Sequence, residues 1–345
     1  MELNEKLAGI VGAKHVLNEK KGGKYGSDWT HKFEFTPLAV VRPANAKEVS
    51  EILKLANAEN VAVVPMSGNT GLAGGTYADQ AIVLLLERMN QIREIRPASR
   101  IAIVEAGVIL SELHSAVAAH DLIFPMTFGA KGSAMIGGML STNAGGSNVL
   151  KYGNTRDLCL GLEVVLPTGE IMNVMSELHK DNSGYNLKHL MIGAEGTLGI
   201  ITAAVVKLSP KPKAEATAMI AAESPDEALR ILNRLQSATD GSVQAFEYMP
   251  GAYLEAFCAH FPNKRAPFDI IYKTNVMVEL GSTIASMSKP EPTGKTKLTE
   301  LLEDVLAHEY DRGSVLQAVV AQNEAQRQEM WERREAAAEV TITRK

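Results

Sequence analysis

The chain has 345 residues, 46% hydrophobic and 22% charged, with 35 basic against 40 acidic side chains and a net charge of −5. That length accommodates a large core, in roughly two domains, and the slight acidic excess excludes the basic stripe of a nucleic-acid binder. Apolar runs such as AIVLLL (81–86) have the length of strands and are too short to cross a bilayer. The first twenty residues lack the layout of an export signal. With only Cys159 and Cys258 and no Asn-x-Ser/Thr acceptor, a reducing, cytoplasmic setting is expected, with peripheral attachment to a membrane as its variant.

Residues 1–35 read as a helical lead-in and AVVRP (39–43) as a short strand closed by proline. NAKEVSEILKLANAEN (45–60) sets Val49, Ile52, Leu53 and Ala56 at helical spacing, with Asn45 as N-cap and Glu48 three residues on. VAVVP (61–65) reads as a buried strand, followed by strands at 81–86 and 101–106 and an amphipathic helix at 110–120. LEVVLPTGEIMNV (162–174) reads as a hairpin around Pro-Thr-Gly-Glu. GIITAAVVKLSP (199–210) is one long strand or a strand pair.

Near Pro210 the texture changes from glycine-rich to helically charged, which divides the chain into 1–210 and 211–345. Beyond that point a capped helix is expected at 223–238, strands at 242–249 and 270–280, a polar loop at 286–297, and helices at 298–310 and 323–339. VTITRK (340–345) alternates like a strand. It is either a short edge strand or the start of one in a chain that continues, and the second is expected.

The stretch PMSGNTGLAGG (65–75) follows strand material with four glycines and an Asn-Thr pair. Unhindered backbone amides in such a turn converge on an anion such as a pyrophosphate, although a plain glycine turn has the same composition. Neither G-x-G-x-x-G nor G-x-x-x-x-G-K-[ST] is present, and KPEPTGKT (289–296) lacks the first glycine of the latter. Two more clusters, GAKGSAMIGGMLSTNAGGSNVLKYGNTRD (129–157) and IGAEGTLGIIT (192–202), lie beside apolar strands. Three such loops suit a long, flat, anionic ligand better than a lone phosphate.

Together with KYGNTRDLCLGLEVVLPTGE and DNSGYNLKHLMIGAEGTLGIIT, these stretches resemble the FAD-binding oxidoreductases of the vanillyl-alcohol-oxidase type. Within that group the sequence is similar to the D-2-hydroxyacid dehydrogenases acting on D-2-hydroxyglutarate, D-lactate or glycolate. The likeness is dense over 28–210 and weaker from 211 to 345. It implies an α+β chain: a two-subdomain PCMH-type FAD-binding domain (1–210), then a truncated α+β substrate (cap) domain (211–345).

By the same resemblance Pro65, Ser67, Gly68, Asn69, Thr70, Gly71 and Leu72 would wrap the FAD pyrophosphate. Ser133, Ile136, Gly137, Gly138, Asn143, Gly145 and Gly146 would line the flavin side. Gly153 to Arg156 and Glu195 to Ile200, Gly199 among them, would close the cleft. Asn69 takes the place of the histidine that joins the flavin in covalent relatives, which implies non-covalent FAD.

Oxidation of a 2-hydroxy acid calls for a cation on the carboxylate, a base for the hydroxyl proton and a positioned hydride acceptor. MWERREAAAE (330–339) resembles the family's Trp-x-x-Arg-Glu segment, which makes Arg334 the carboxylate clamp. A solvated Arg-Glu face is the competing reading. The family's paired metal histidines and Glu-His-Gly segment are absent, so a divalent metal is expected only in a longer chain, and no catalytic base is assigned. His179, His189, His260 and His308 are scattered without metal spacing.

The resemblance implies a dehydrogenase with a D-2-hydroxy acid as substrate and a quinone or carrier flavoprotein as electron acceptor. A homodimer is a further expectation. The alternative is an FAD-binding or electron-transfer subunit, or an inactive fragment, that needs a second polypeptide for catalysis.

Overall fold

The structure, a computed structural model, describes residues 2–18 and 23–343. They sort into two units, one comprising residues up to Pro125 with Ala130–Gly145 and Asn154–Ser209. The other takes Met126–Gly129, Gly146–Gly153 and the described chain from Pro210 onward.

In the first unit, helix α1 (Leu3–Val11) precedes a sheet of order β1-β2-β4-β3, formed by Val16–Leu17, Ala39–Val41, Ile82–Leu85 and Val63–Met66 respectively. β2 and β3 flank β4 in parallel, and β4 is buried along its whole length, as a central parallel strand must be. Helix α2 (Ala46–Glu59) starts where Asn45 accepts the Glu48 N–H at 3.0 Å, while Glu48 accepts the Ala44 N–H at 2.8 Å. It buries Val49, Ile52, Leu53 and Ala56 in one cluster with Ile82 and Leu84. Each large side chain covered in this way contributes about 1.5–3 kcal/mol.

A second sheet runs β5-β6-β10-β8-β9: Ile92–Arg96, Ile101–Glu105, Ile200–Lys207, Cys159–Val165 and Ile171–Val174. The two-residue strands β7 (Leu122–Ile123) and β11 (Ser209–Pro210) stand outside both sheets. β8 and β9 form the expected hairpin, closed by the Gly169 N–H on Leu166 O at 2.8 Å. Of the stretch 199–210, Ile200–Lys207 form the strand β10, paired on both sides, and Ser209–Pro210 form β11. Helices α3 (Leu110–Ala118), α4 (Ile136–Ser141) and α6 (Lys188–Met191) complete this unit.

The second unit contains the antiparallel sheet β13-β14-β12-β15, formed by Val243–Pro250, Thr274–Ser282, Ala214–Ala222 and Val315–Val320. Alternation decides its faces. Ala216, Ala218, Ile220, Val276, Val278 and Leu280 pack in a cluster with Ile231 and Leu235 of α7 (Pro225–Ala238) and Leu302 of α9 (Lys297–Asp311). Met219, Met249 and Met277 take the other face, with Leu254 of α8 (Gly251–His260) and Met330 of α10 (Glu324–Glu335). Helix α5 (Val149–Tyr152), in the inserted segment 146–153, packs against β13.

The face with the methionines also holds a buried carboxylate. Glu279 accepts from Arg327 Nε at 2.7 Å and Nη2 at 2.9 Å, from Trp331 Nε1 at 2.7 Å and from Thr217 Oγ1 at 2.8 Å. These bonds fix both the depth and the rotation of α10 on the sheet.

Four sequence expectations shift. The first strand of the loop region is Val63–Met66 rather than 61–65, and three of its residues are only half-buried. Asn60 closes α2 in the left-handed region, and the Val61 N–H still bonds Ala56 O. The strand expected at 270–280 begins at Thr274, where its ladder to Ala222 begins, and Ile270 and Ile271 are exposed. The helix expected over 323–339 breaks after Glu335 into α10 and α11 (Ala337–Thr343). The alternating run at 340–343 is therefore helical: the Val340 N–H bonds Ala336 O, and Val340 is buried. Residues 344–345 of that run lie outside the described residues.

Removing the Glu279 carboxylate leaves Arg327 to the more exposed carboxylates of Glu324 at 3.2 Å and Glu215 at 3.6 Å, and deprives Thr217 and Trp331 of their acceptor. Glu279→Ala should cost about 1–3 kcal/mol of stability, read as a lowered urea midpoint, and Glu279→Gln, which keeps two acceptor lone pairs, should cost less.

Candidate functional site

The three glycine-rich loops meet within the first unit, and each contact is made at a glycine. A Cβ at position 68 would lie 2.0 Å from Ser133 O, so only glycine permits this contact between the first loop and the second. Position 138 returns the contact, its would-be Cβ 3.0 Å from Ser67 Cβ. The third loop joins at Gly196, where φ is +80° and a Cβ would lie 2.4 Å from Pro65 Cγ. Along the first loop, the N–H groups of Gly68 to Gly75 donate to no other described residue. A run of unpaired donors on a glycine backbone is the chemistry of a polyanion cradle.

A neighbouring segment braces this loop. Asn69, itself in the left-handed region, donates from Nδ2 to Ser27 O at 2.9 Å and accepts from Thr76 Oγ1 at 2.8 Å. The Phe33 ring sits 2.8 Å from a would-be Cβ at Gly74. Asp28, buried, shapes this segment by accepting from Thr30 Oγ1 at 2.5 Å and from the Lys32 and Phe33 N–H groups at 3.1 Å each. Burial alone would raise the Asp28 pKa, but the bonds from Thr30, Phe33 and Lys32 outweigh it and hold its carboxyl below the usual 3.8.

The second and third loops are stitched together in the same way. The Gly193 N–H bonds Leu140 O at 3.0 Å and the Glu195 N–H bonds Ser141 O at 2.9 Å. Asn143 Oδ1 accepts the Arg156 N–H at 3.0 Å, and the Arg156 guanidinium donates to His189 O and Ile192 O. Thr155 Oγ1 closes onto Ala144 O at 2.7 Å.

The sequence-derived residues divide accordingly. Pro65, Ser67, Gly68, Asn69, Thr70, Gly71, Leu72, Ser133, Gly138, Asn143, Gly145 and Glu195 lie on or between the converging loops. The Ile136 and Gly137 N–H groups are already bonded to Val108 O and Ala106 O, and the Ile136 side chain is buried. Gly199 packs on Val164 and Ile200 opens β10, so both shape the wall from within the sheet. Gly146 and Gly153 belong to the second unit, where Gly146 packs on Thr127 and Gly153 ends α5. The side-chain amide of Asn69, expected on the cofactor, holds the loop instead. Ser27, Asp28, Phe33 and Thr76 were not anticipated. Only the DWT turn signature at 28–30 signals them, and it does not say what the turn supports.

In the second unit Arg334, near the end of α10, donates from Nε to Glu247 on β13 and is about one-third exposed. Its neighbour Arg333 is buried and bonded to Arg265 O, Glu329 O and the Glu329 carboxylate, so it is a structural wedge and no solvated face. His260 contacts Glu339 at 3.0 Å and His308 contacts Glu309 at 3.2 Å. In the first unit, His179 contacts Ser99 O at 3.0 Å. Among the described residues, no three His, Cys, Asp or Glu side chains gather as a metal-holding group.

Residues 37–175 match the family description of an FAD binding domain, and 211–345 that of the C-terminal domain of FAD-linked oxidases. A D-2-hydroxyglutarate dehydrogenase of Stutzerimonas stutzeri is 33% identical over 98% of this chain and 70% of its own length. The chain belongs to this FAD-linked oxidase family. A second member named D-2-hydroxyglutarate dehydrogenase, from Xanthomonas citri pv. viticola, is 36% identical over 91% of this chain and 64% of its own length. A mitochondrial one from Rattus norvegicus is 35% identical over 90% and 56%. The chain thus spans a little under two-thirds of the length of several curated relatives. The fold is shared with p-cresol methylhydroxylase, at a TM-score of 0.71 and 17% identity over 92% of this chain and 65% of that one. The FAD of this family fits the loops as they stand: the unpaired donors of 68–75 offer the pyrophosphate its bonds, and the small residues leave room for backbone contact.

Two outcomes follow for this site. Gly68→Ala forces Ser133 away and should abolish FAD retention, measured as flavin absorbance per protein, while the circular dichroism of the chain stays close to that of the parent. Asp28 stabilises the fold fully above its unfolded value of 3.8, and this contribution is lost as pH falls through its lower folded value. Asp28→Asn should therefore lower stability by about 1–3 kcal/mol at neutral pH, and the gap to the parent should narrow in urea titrations below pH 3.8.

Proposed function

We propose that this protein is an FAD-linked dehydrogenase that oxidises a D-2-hydroxy acid to the corresponding 2-oxo acid, with Arg334 binding the carboxylate. The names of its relatives support the substrate class. The observation that carries the reading is the state of Arg334: through Nε it already holds one carboxylate, that of Glu247, and its Nη atoms donate to no other described residue. A guanidinium fork about one-third exposed and in that state has both Nη nitrogens left for a planar carboxylate.

When bound, FAD supplies the acceptor for the hydride leaving the carbinol carbon. The protein's part is to hold the acid by its carboxylate so that a single face of that carbon is presented. In this reading the flavin is held without a covalent bond, because position 69 is asparagine and its amide is tied to Ser27 and Thr76. A quinone or a carrier flavoprotein serves as reoxidant, since the sequence has no G-x-G-x-x-G turn for a nicotinamide.

The purified chain should show flavin absorption in near-equal amount to protein, and acid precipitation should release the flavin into the supernatant. Dye reduction should follow addition of D-2-hydroxyglutarate or D-lactate and not of the L-acids. Arg334→Met should raise KM about 10- to 100-fold, the range of a lost charge-assisted pair, and Arg334→Lys should restore part of it. An unchanged KM in Arg334→Met would remove the clamp from the proposal.

A further inference from the structure

Helix α10 carries three arginines toward its surroundings, and two of them are fully engaged. Arg327 gives Nε and Nη2 to Glu279 at 2.7 and 2.9 Å, and Nη1 to Glu324 at 3.2 Å. Arg333 is buried, with Nε and both Nη nitrogens bonded to Arg265 O, Glu329 O and the Glu329 carboxylate. Arg334 makes a single bond, from Nε to Glu247. Its side chain is 37% exposed, against 24% for Arg327 and 6% for Arg333.

The carboxylate it meets is held more firmly than the arginine. Glu247 stands on β13 opposite Met277 of β14, and its side chain is 16% exposed. Met277 in turn faces Met219 of β12, and Glu279 faces Thr217, so Glu247 and Glu279 share one sheet face, a single pair step apart on neighbouring strands. Arg327 and Arg334 are seven residues apart on α10, about 10 Å of helix, and each meets one of these two carboxylates. The root of Arg334 is held as well, because the Tyr253 hydroxyl donates to Arg333 O. Root and head are thus both fixed before any acid arrives.

An arginine loses much rotamer freedom when it grips an anion. A guanidinium also offers a carboxylate two edges: a side edge of Nε with one Nη, and an end edge of the two Nη nitrogens. We infer that Glu247 is a positioning residue for the substrate: by taking Nε it closes the side edge of Arg334 and holds the end edge ready for the acid. This rests on the reading of Arg334 as the clamp, and Glu247 acts through that residue alone. Its negative charge repels the acid, so its hold on the fork has to be read apart from its charge.

Glu247→Gln and Glu247→Ala lose the same charge, but glutamine keeps an oxygen that accepts the Nε–H. Calorimetric titration of the purified, FAD-loaded chain with pyruvate, which has one carboxylate and no hydroxyl to oxidise, reads the difference without turnover. Glu247→Ala should bind pyruvate about 10-fold more weakly than Glu247→Gln. Combined with Arg334→Met, the same two substitutions should bind alike, because nothing is left to hold. Equal affinities of the two variants with Arg334 intact, or a gap that persists without Arg334, would overturn the proposal and leave Glu247 as an ordinary ion pair. Arg334→Met alone separates this outcome from a failure of the clamp. If it binds pyruvate no more weakly than the parent, the clamp falls and this inference with it. If it binds weakly while the two Glu247 variants agree, the clamp stands and only the role of Glu247 is lost.

Discussion

The first unit depends on a backbone contact that tolerates no side chain. Where Gly68 meets Ser133 O, the loop after β3 and the loop before α4 are pressed together more closely than any Cβ allows. The N–H groups of 68–75 donate to no other described residue, which leaves them available to a pyrophosphate. The glycine contact brings the loops together, and the bonds of Asn69 to Ser27 and Thr76 hold the first of them in place.

A different constraint governs the second unit. Its sheet is apolar toward α7 and α9, and on the other face a single carboxylate, Glu279, gathers Thr217, Arg327 and Trp331. A buried ion pair of this kind is weak evidence for added stability, but it specifies orientation well. Arg327, Trp331 and Arg334 follow one another at four and three residues along α10, so the bonds that fix the first two also fix where the third emerges.

Much of this was legible in the sequence where the signal is local. Asn45 and Ser224 cap the helices that their spacing announces, and each accepts the N–H three residues on. The glycine loops stood out because close approach and positive φ both demand that residue. What escaped was non-local. Ser27 and Asn69 are far apart in sequence, and nothing near either one names the other. Gly146 and Gly153 sit in the same run as Gly137 and Gly138 yet fold with the second unit, since composition does not record which side of a boundary a turn falls on. VTITRK alternates like a strand, but with no ladder to join, the helical bond from Val340 to Ala336 prevails. Of Arg333 and Arg334, only burial separates the wedge from the clamp.

The second unit is not one stretch of chain. Segments 126–129 and 146–153 are drawn from within the span of the first, and the latter brings Lys151 to the carbonyl of Gly281. A chimera joined at residue 210, the junction that sequence texture recommends, would therefore combine one parent's Lys151 with another parent's β13 and β14. The Lys151–Gly281 contact of either parent would not travel with the C-terminal half. Recombination in this fold has to carry the 146–153 insert along with the sheet it serves, and gene-level modularity and physical modularity part company there.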